Sequence, residues 1–567
     1  MINQEIAQIF RNIANYLDME EGQNNFFRIR AFNAAADAVE NHPEDIASLN
    51  IYDLKKIKGV GDSTAKDILE YVKNGVIPYY EELKAKSPVK LEELIKIQGM
   101  GPKRIKKLYQ ELGVTDLVSL KLHAEAGNIA KLDGFGEKSQ ASIIENLQFA
   151  IVNKERTRID NALLIAEKYI DYLKSKDTNI VQINYGGSLR RRNETVGDID
   201  LLVSSKDPVA TSKVFVEYPE IEKVLGNGDT KSSVWLKQKI QVDLRVINDS
   251  NFGAALQYFT GSKDHNVRLR KIAISKGLKL SEYGLFRKSN DTLVASKTEK
   301  EIYEVLVNNY VEPELREDGN ELDLAIDSRL PKLIDLADIK GDLQMHSTHS
   351  DGKNTMEEMV LKCIDLGYAN MGFTDHFGNL YVANAVKEDG FNAYFDEILA
   401  LKEKYKDKIK VLAGAEVNVK PNGDLDFTQA YLEKLDFVVA SVHSSLKVDL
   451  KVATDRYLNV LDNPVVTIIG HPTGRIIGQR PGFEFNYVSV FQKSAEKGIV
   501  MEINAHPARQ DLPYHLVKSA VKQGCKIQIS TDAHSVNDLE LMKYGVFVGR
   551  KAGLESKNLF NIQKQLP

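Results

Sequence analysis

The sequence predicts a multidomain protein of mixed class, with a helical N-terminal region, an α+β middle and an α/β C-terminal half. Three observations carry that expectation. Apolar residues at helical spacing surround three Gly-x-Gly segments in the N-terminal region. A strand pattern bearing two carboxylates, Gly197-Asp198-Ile199-Asp200-Leu201-Leu202-Val203, lies near the centre. From residue 339 short apolar runs alternate with helix-like segments, which argues for a parallel sheet closed as a barrel. The 567-residue length suggests roughly three to five domains, and 43% hydrophobic residues suffices to bury several cores.

In the N-terminal region Ile6, Ile9, Phe10, Ile13 and Leu17 recur at helical spacing, and Asn33 to Val39 is alanine-rich. The Gly-x-Gly segments follow: Gly59-Val60-Gly61, Gly99-Met100-Gly101 and Gly134-Phe135-Gly136, each opening a helix, the second carrying Lys103. Glycines there let backbone approach a phosphate, and the helix N-terminus offers free N–H groups to the anion. This is the helix-hairpin-helix pattern, which grips a DNA backbone without reading sequence. Gly59, Gly61, Gly99, Gly101, Lys103, Gly134 and Gly136 are therefore expected to bind DNA. In the third copy Glu137 puts a carboxylate where DNA would approach.

Residues 156–175 carry Ile159, Leu163, Ala166, Ile170 and Leu173 on one face of an amphipathic helix. The run Gly186-Gly187-Ser188-Leu189-Arg190-Arg191-Arg192 then gives a tight turn and a short cationic segment. On the following strand Asp198 and Asp200 share a face while Ile199 and Leu201 point into the core. Two adjacent carboxylates need a cation between them, and Mg²⁺ held by carboxylates and substrate phosphates fits best. A phosphate cradle beside metal carboxylates suggests phosphoryl or nucleotidyl transfer. Gln241-Val242-Asp243-Leu244 supplies a third carboxylate, Asp243, on a candidate neighbouring strand. Further on, Tyr258-Phe259-Thr260-Gly261-Ser262 sets two aromatics before a glycine turn.

The Gly-Ser and Asp-x-Asp pair resembles the nucleotidyltransferase superfamily. Together with the hairpins, the third Asp and Tyr-Phe-Thr-Gly-Ser, it resembles the family X DNA polymerases over about residues 1–317. The resemblance implies that Asp198, Asp200 and Asp243 are catalytic and hold two Mg²⁺, with Asp243 nearest the primer 3′-hydroxyl. It implies that Gly187, Ser188, Arg191 and Gly197 hold the triphosphate. Tyr258, Phe259 and Gly261 would pack against the incoming sugar, Asn266 would face the new base, and Arg270 the template. It also implies a monovalent cation at the hairpin carbonyls of Ile95, Ile97 and Met100. Two departures stand out: Arg192 occupies a position that is often glycine, and Asp67 occupies that of the lyase lysine, beside Lys66. A Schiff base needs an amine, so lyase activity is not expected from Asp67.

Glu312 to Asp338 is acidic, contains Pro313 and Pro331, and reads as a linker. Beyond it lie eight of the eleven histidines. Metal-ligand residue types follow almost every apolar run: His346, Asp375-His376, Glu416, His443, His471, His506 and Asp532-Ala533-His534. Ligands at strand C-termini converge on one barrel mouth. Their order resembles the polymerase and histidinol phosphatase (PHP) domain, a distorted (β/α)7 barrel, over residues 339–567. That implies up to three divalent ions, Mn²⁺ or Zn²⁺, on His346, Asp351, His376, Glu416, His443, His471, Asp532 and His534. The family's opening His-x-His is Gln344-Met345-His346 here, a weaker uncharged donor, with His349 close by.

The expected organisation is a helical domain over 1–85, a fingers-like hairpin region over 86–155 and a palm over 156–250. A nucleotide-selecting subdomain over 251–317, a linker over 318–338 and the PHP domain over 339–567 complete it. The expected function is DNA repair synthesis on gapped or primed DNA from deoxynucleoside triphosphates, base excision repair included. The PHP domain would add a 3′→5′ exonuclease and an abasic-site endonuclease. An inactive structural barrel and a small-molecule phosphatase remain the alternatives. A formal net charge of −5 leaves DNA contact to local patches, and two distant cysteines, Cys363 and Cys525, exclude a disulfide framework. No leader pattern or membrane-length apolar run is present, so a cytoplasmic protein is expected, nucleoid-associated when bound to DNA, with a monomer as the default expectation.

Overall fold

The computed structural model describes residues 2–20, 25–40, 42, 46–95, 97, 100–153, 156–317 and 319–560. The chain divides into two compact units, Met1–Lys154 with Ile476–Pro481, and Glu155–Arg475 with Gly482–Pro567. Among the described residues no helix is long and apolar enough to cross a membrane.

The first unit is helical. Helix Ile2–Met19 buries Ile6, Phe10, Ile13 and Leu17 fully, as its spacing predicts, against helix Asn25–Glu40. Helices Asp62–Asn74, Pro102–Leu112 and Gly136–Asn153 each start at one of the glycine segments. Gly61 and Gly101 are their N-caps in the first two, where a residue without a side chain leaves the end N–H groups open.

In the second unit a five-stranded sheet runs in the order Ile180–Tyr185, Asp198–Ser205, Gln241–Ile247, Lys231–Leu236, Ile221–Asn227. Helix Ile159–Lys176 supplies Ile159, Leu163, Ala166, Tyr169 and Leu173 to its core. Next come helices Phe252–Thr260, Lys263–Ser275 and Glu299–Val307 around a three-stranded antiparallel meander.

The acidic stretch expected to be a linker is built into the fold instead. Arg316 is wholly buried, helix Glu321–Ile326 adds Leu322 and Ala325 to the preceding core, and Ile334 enters the barrel core. Its charges find partners: Glu321 meets His265 Nδ1 at 2.5 Å, and Arg316 donates to Glu299 at 2.7 Å. Composition registers the charges and not the partners, which lie elsewhere in the chain.

The C-terminal part is a parallel sheet of Gly341–Asp342, Asn370–Phe373, Lys410–Asn418, Phe437–Ser441, Val466–Gly470, Val500–Asn504 and Ile527–Ser530, in that order. A parallel bridge between Met345 and Ala533, with His346 N donating to Ala533 O at 2.8 Å, nearly closes the last strand onto the first. The predicted barrel is thus present, distorted at this seam. Helix Met542–Lys551 leaves the barrel and packs Tyr544 into the five-stranded sheet's core.

Candidate active sites

Strand Asp198–Ser205 buries Ile199, Leu201 and Val203 and turns Asp198 and Asp200 the other way. It runs parallel to Gln241–Ile247 in a register that sets Asp200 beside Asp243. Burial, then the charges of Asp198 and Asp243, push Asp200 up to about 7. Burial and Asp243 raise Asp198 as well. Carboxylates that disfavour one another's charge favour a cation between them, and a divalent ion would relieve Asp198 and Asp200. Gln241 Nε2 donates to Asp243 Oδ1 at 2.9 Å and fixes that side chain.

The Gly-Ser segment forms a helical turn, Gly187–Arg190, capped by Gly186. Gly186 N donates to Asp200 O at 2.8 Å, which ties the turn to the strand. Gly187 has φ +58°, and a Cβ there would lie 2.6 Å from Asp200 Oδ2. Only glycine lets the turn sit this close to the carboxylate. Ser188 is half-buried on the same turn, whereas Gly197 is exposed, and a Cβ there would meet nothing nearer than Arg156 Nη1 at 3.6 Å.

The three arginines of the cationic segment meet three different surroundings. Arg190 is locked onto Glu299 at 2.6 and 3.0 Å. Burial would raise Glu299, but Arg316 and Arg190 together hold it down to about 2. Arg192 stacks its guanidinium 4.3 Å from the Phe547 ring and 5.5 Å from that of Tyr185. Arg191 Nε donates to Glu317 at 2.7 Å and Nη1 to Thr260 O at 2.6 Å. Its charge still reaches Asp200 and opposes the upward shift there.

Tyr258 and Phe259 end helix Phe252–Thr260, half-buried and edge to face at 5.1 Å. Gly261 has φ +69°, and a Cβ would lie 3.2 Å from Arg191 Nη1. Asn266 donates to Tyr258 O and accepts from Gln257 Nε2, both at 2.7 Å, so its amide is held in one orientation. Arg270 is half-buried on the same helix, Lys263–Ser275. One neighbour went unread in the sequence. Arg245 lies two residues beyond Asp243 on the same strand face, stacks 4.3 Å from Phe259 and lowers Asp200. Strand alternation alone would have found it.

In the helical unit, a Cβ at Gly61, Gly101, Gly134 or Gly136 would meet nothing within 4 Å. Gly59 differs: φ is +106°, and a Cβ would lie 2.8 Å from Ala34 O, so this glycine serves helix packing. Lys103 is exposed, and Gly99 lies outside the described residues. The third hairpin is braced by the helix that follows the second, Arg104 donating to Gly134 O at 3.0 Å and Lys107 to Asp133 O at 2.6 Å. The Ile97 carbonyl accepts from Met100 N at 3.0 Å.

At the barrel mouth all eight candidate ligands converge. Three groups could each hold an ion: His346, Asp351, His376 and His534; His376, Glu416 and His443; and His346, Glu416 and Asp532. Glu416 is the hub, with His376 Nδ1 at 3.2 Å, His346 Nε2 at 3.5 Å, His443 Nε2 at 3.4 Å and His471 Nε2 at 2.9 Å. It lies inside strand Lys410–Asn418, level with His376, rather than beyond the strand end. Burial, with the charges of His346 and His443, outweighs the opposing pull of Glu416 and Asp351 and leaves His376 at about 3, a neutral ring with one nitrogen lone pair to offer a metal. His534 is raised to about 9: burial opposes this, and Asp351 and Asp532 overcome it.

Gln344, two residues before His346, is buried, and neither amide atom has a hydrogen-bond partner among the described residues. An orphaned carbonyl oxygen of this kind fits an oxygen donor to a cation. His349 does not compensate, since its Nε2 pairs with Glu397 at 2.8 Å. Asp375 and His506 stand outside the ligand groups. Asp375 instead accepts from Ser347 and Ser350 and ties their loop down. His506 Nδ1 accepts from Ala508 N at 3.2 Å. Asn504 Nδ2 donates to Asp532 at 2.9 Å and orients that ligand.

Fold and sites together define a nucleotidyltransferase-type palm joined to a metal-binding phosphoesterase barrel, with a helix-hairpin-helix unit before them. Family models agree: a helix-hairpin-helix domain matches residues 1–77, a SAM-like helix-hairpin-helix tandem 91–148, a DNA polymerase beta thumb 255–317 and a PHP domain 342–506. The chain is 37% identical over 563 residues to the Bacillus subtilis (strain 168) DNA polymerase/3′-5′ exonuclease PolX, covering 99% of this chain and 97% of that protein. It is also 29% identical over 178 residues to a probable phosphatase of Thermoanaerobacter sp. (strain X514), covering 30% of this chain and 70% of the relative. The chain belongs to the family X DNA polymerases that carry a PHP domain.

Proposed function

We propose that this chain is a DNA-directed DNA polymerase that fills short gaps in DNA repair and that its PHP barrel is a 3′→5′ exonuclease and an abasic-site endonuclease. The observation that carries the polymerase reading is the register of Asp200 against Asp243 with Gly187 pressed onto the Asp200 carboxylate. Asp198, Asp200 and Asp243 would hold Mg²⁺, which when bound neutralises charge on the transferring phosphoryl group. Asp243, fixed by Gln241, faces the primer 3′-hydroxyl. Ser188, Arg191 and the glycine backbone grip the triphosphate, Tyr258, Phe259 and Gly261 bound the sugar, and Asn266 and Arg270 meet the base pair. Gapped or primed DNA is the partner, held by the hairpins at Gly61, Gly101, Lys103, Gly134 and Gly136, with a monovalent cation on their carbonyls; the protein acts as a monomer. Gly59 supports that grip by packing.

At the barrel His346, Asp351, His376, Glu416, His443, His471, Asp532 and His534 would hold Mn²⁺ or Zn²⁺, which supply an activated hydroxide and charge neutralisation at phosphorus. Eight converging ligands favour an active barrel over a structural appendage. Asp67 at the lyase position and the exposed Lys66 give no buried amine, so no lyase activity is assigned.

The test follows an end-labelled primer on gapped DNA with Mn²⁺, with and without nucleotides, for wild type, Asp243→Ala and His376→Ala. Extension lost only in the first variant and shortening lost only in the second is the expected result. Extension that survives Asp243→Ala would refute the palm assignment, and shortening that survives His376→Ala would refute the barrel's.

A further inference from the structure

The nucleotide site assigned above contains a residue from the barrel's helix Met542–Lys551. Lys551 ends that helix, and its side chain is only 7% exposed. Its Nζ donates to Asn193 Oδ1 at 2.6 Å, Glu317 Oε1 at 2.8 Å and Arg191 O at 3.1 Å. An ammonium has three N–H donors, and here all three are engaged. None is left for a phosphate, so any effect of Lys551 on nucleotide must pass through its neighbours.

Those neighbours hold Arg191 at both ends. Lys551 takes the Arg191 backbone carbonyl directly. It also takes Glu317 Oε1, the atom that receives Arg191 Nε at 2.7 Å. With Nη1 given to Thr260 O, Nη2 has no hydrogen-bond partner among the described residues, and that edge is left for an incoming oxyanion. Removing the ammonium would leave Glu317 with Arg191 as its sole cationic partner, strengthening the pair that competes with the triphosphate and freeing the Arg191 backbone.

We infer that Lys551 is a positioning residue of the polymerase nucleotide site: from the barrel, it sets through Glu317 and the Arg191 carbonyl how Arg191 is offered to the triphosphate. This rests on the reading of Arg191 as a triphosphate ligand. Docking of the helix has separate means. The preceding residue, Arg550, binds Glu314 at 2.8 Å and Asp335 at 2.7 Å without touching Arg191.

The experiment is steady-state single-nucleotide insertion by the full-length protein on gapped DNA, varying nucleotide and DNA separately. Lys551→Met should raise KM for nucleotide about tenfold with kcat within about twofold, the size of one misdirected charge-assisted contact. KM for DNA and primer shortening by the barrel should hold at wild-type values, and Lys551→Arg should recover most of the loss. Arg191→Ala combined with Lys551→Met should be no worse than Arg191→Ala alone, because the two act in series. Arg550→Ala should leave nucleotide KM unchanged. An unchanged nucleotide KM in Lys551→Met, or an equal rise in Arg550→Ala, would overturn the inference. If Arg191→Ala itself leaves nucleotide KM unchanged, the underlying assignment of Arg191 fails instead. Should Lys551→Met not fold, Glu317→Gln tests the same link, and additivity with Arg191→Ala would overturn it.

Discussion

Replacing Gly187 with alanine should slow extension on the order of 100-fold while sparing the barrel, and the size of the effect follows from the geometry. The residue sits at φ +58°, where an L side chain costs about 1–2 kcal/mol. A new Cβ would lie 2.6 Å from Asp200 Oδ2, against the 3.4 Å at which ordinary contact begins, so one of the two must move by roughly 0.8 Å. The turn cannot retreat freely, because Gly186 N is bonded to the Asp200 carbonyl at 2.8 Å. The carboxylate therefore swings, and a displacement near 1 Å in a catalytic group costs on the order of 100-fold in rate. Single-turnover extension at saturating nucleotide measures this, with shortening by the barrel on the same preparation as the control. Gly197→Ala gives the contrast, since its Cβ would meet nothing nearer than Arg156 Nη1 at 3.6 Å. It should stay within about threefold of wild type, as expected of a substitution without a clash. Extension by Gly187→Ala within that same range would refute the argument that the turn and the carboxylate share one space.

Glu299→Gln should destabilise the protein by about 3–5 kcal/mol in denaturant titrations at neutral pH, since it leaves Arg190 and the wholly buried Arg316 without their carboxylate. Glu299 is depressed to about 2, so its stabilisation is present above the ordinary carboxylate range and is lost as pH falls through that range towards 2. The gap between wild type and variant should narrow in that window, and a gap that widens on acidification would contradict the assignment. Gln344→His should tighten metal retention at the barrel about tenfold, read as metal content after dialysis, by exchanging an amide oxygen for an imidazole nitrogen; unchanged content would mean the side chain lies off the metal. Gly59→Ala should lower the melting temperature through its clash with Ala34 O, whereas Gly61→Ala should leave it and weaken binding of gapped DNA several-fold. The reverse pattern would remove the distinction between packing and gripping glycines.

The parts legible in the sequence are those governed by local periodicity. Strand alternation put Asp198 and Asp200 on one face and Ile199 in the core, and the structure agrees. The candidate ligand set converged because parallel strands align their C-terminal ends, a consequence of topology rather than of any one residue. Glu416 departed from that rule only because strand Lys410–Asn418 runs past it. What could not be read was pairing across distance. Arg316 and Glu321 looked like linker charges until Glu299 and His265 were beside them. Lys551 and Glu317 are separated by the whole barrel in sequence, and nothing local marks either.

The arginine triplet shows why a charge run is a poor guide to a charged surface. Arg190 closes a helical turn and Arg191 caps it, so successive side chains leave in directions roughly 100° apart. Arg192 then takes φ +57°, which turns the chain again. Each guanidinium meets different surroundings: a buried carboxylate at Glu299, a shared carboxylate at Glu317, and the rings of Tyr185 and Phe547. All three bind this protein to itself, and Arg191 is the one whose charge still reaches Asp200. That leaves Arg191 with little redundancy, and it is the one whose carboxylate partner the barrel also holds. On the proposed assignment of Arg191 to the triphosphate, the site is sensitive to whatever sets that side chain, and that includes a lysine some 360 residues away.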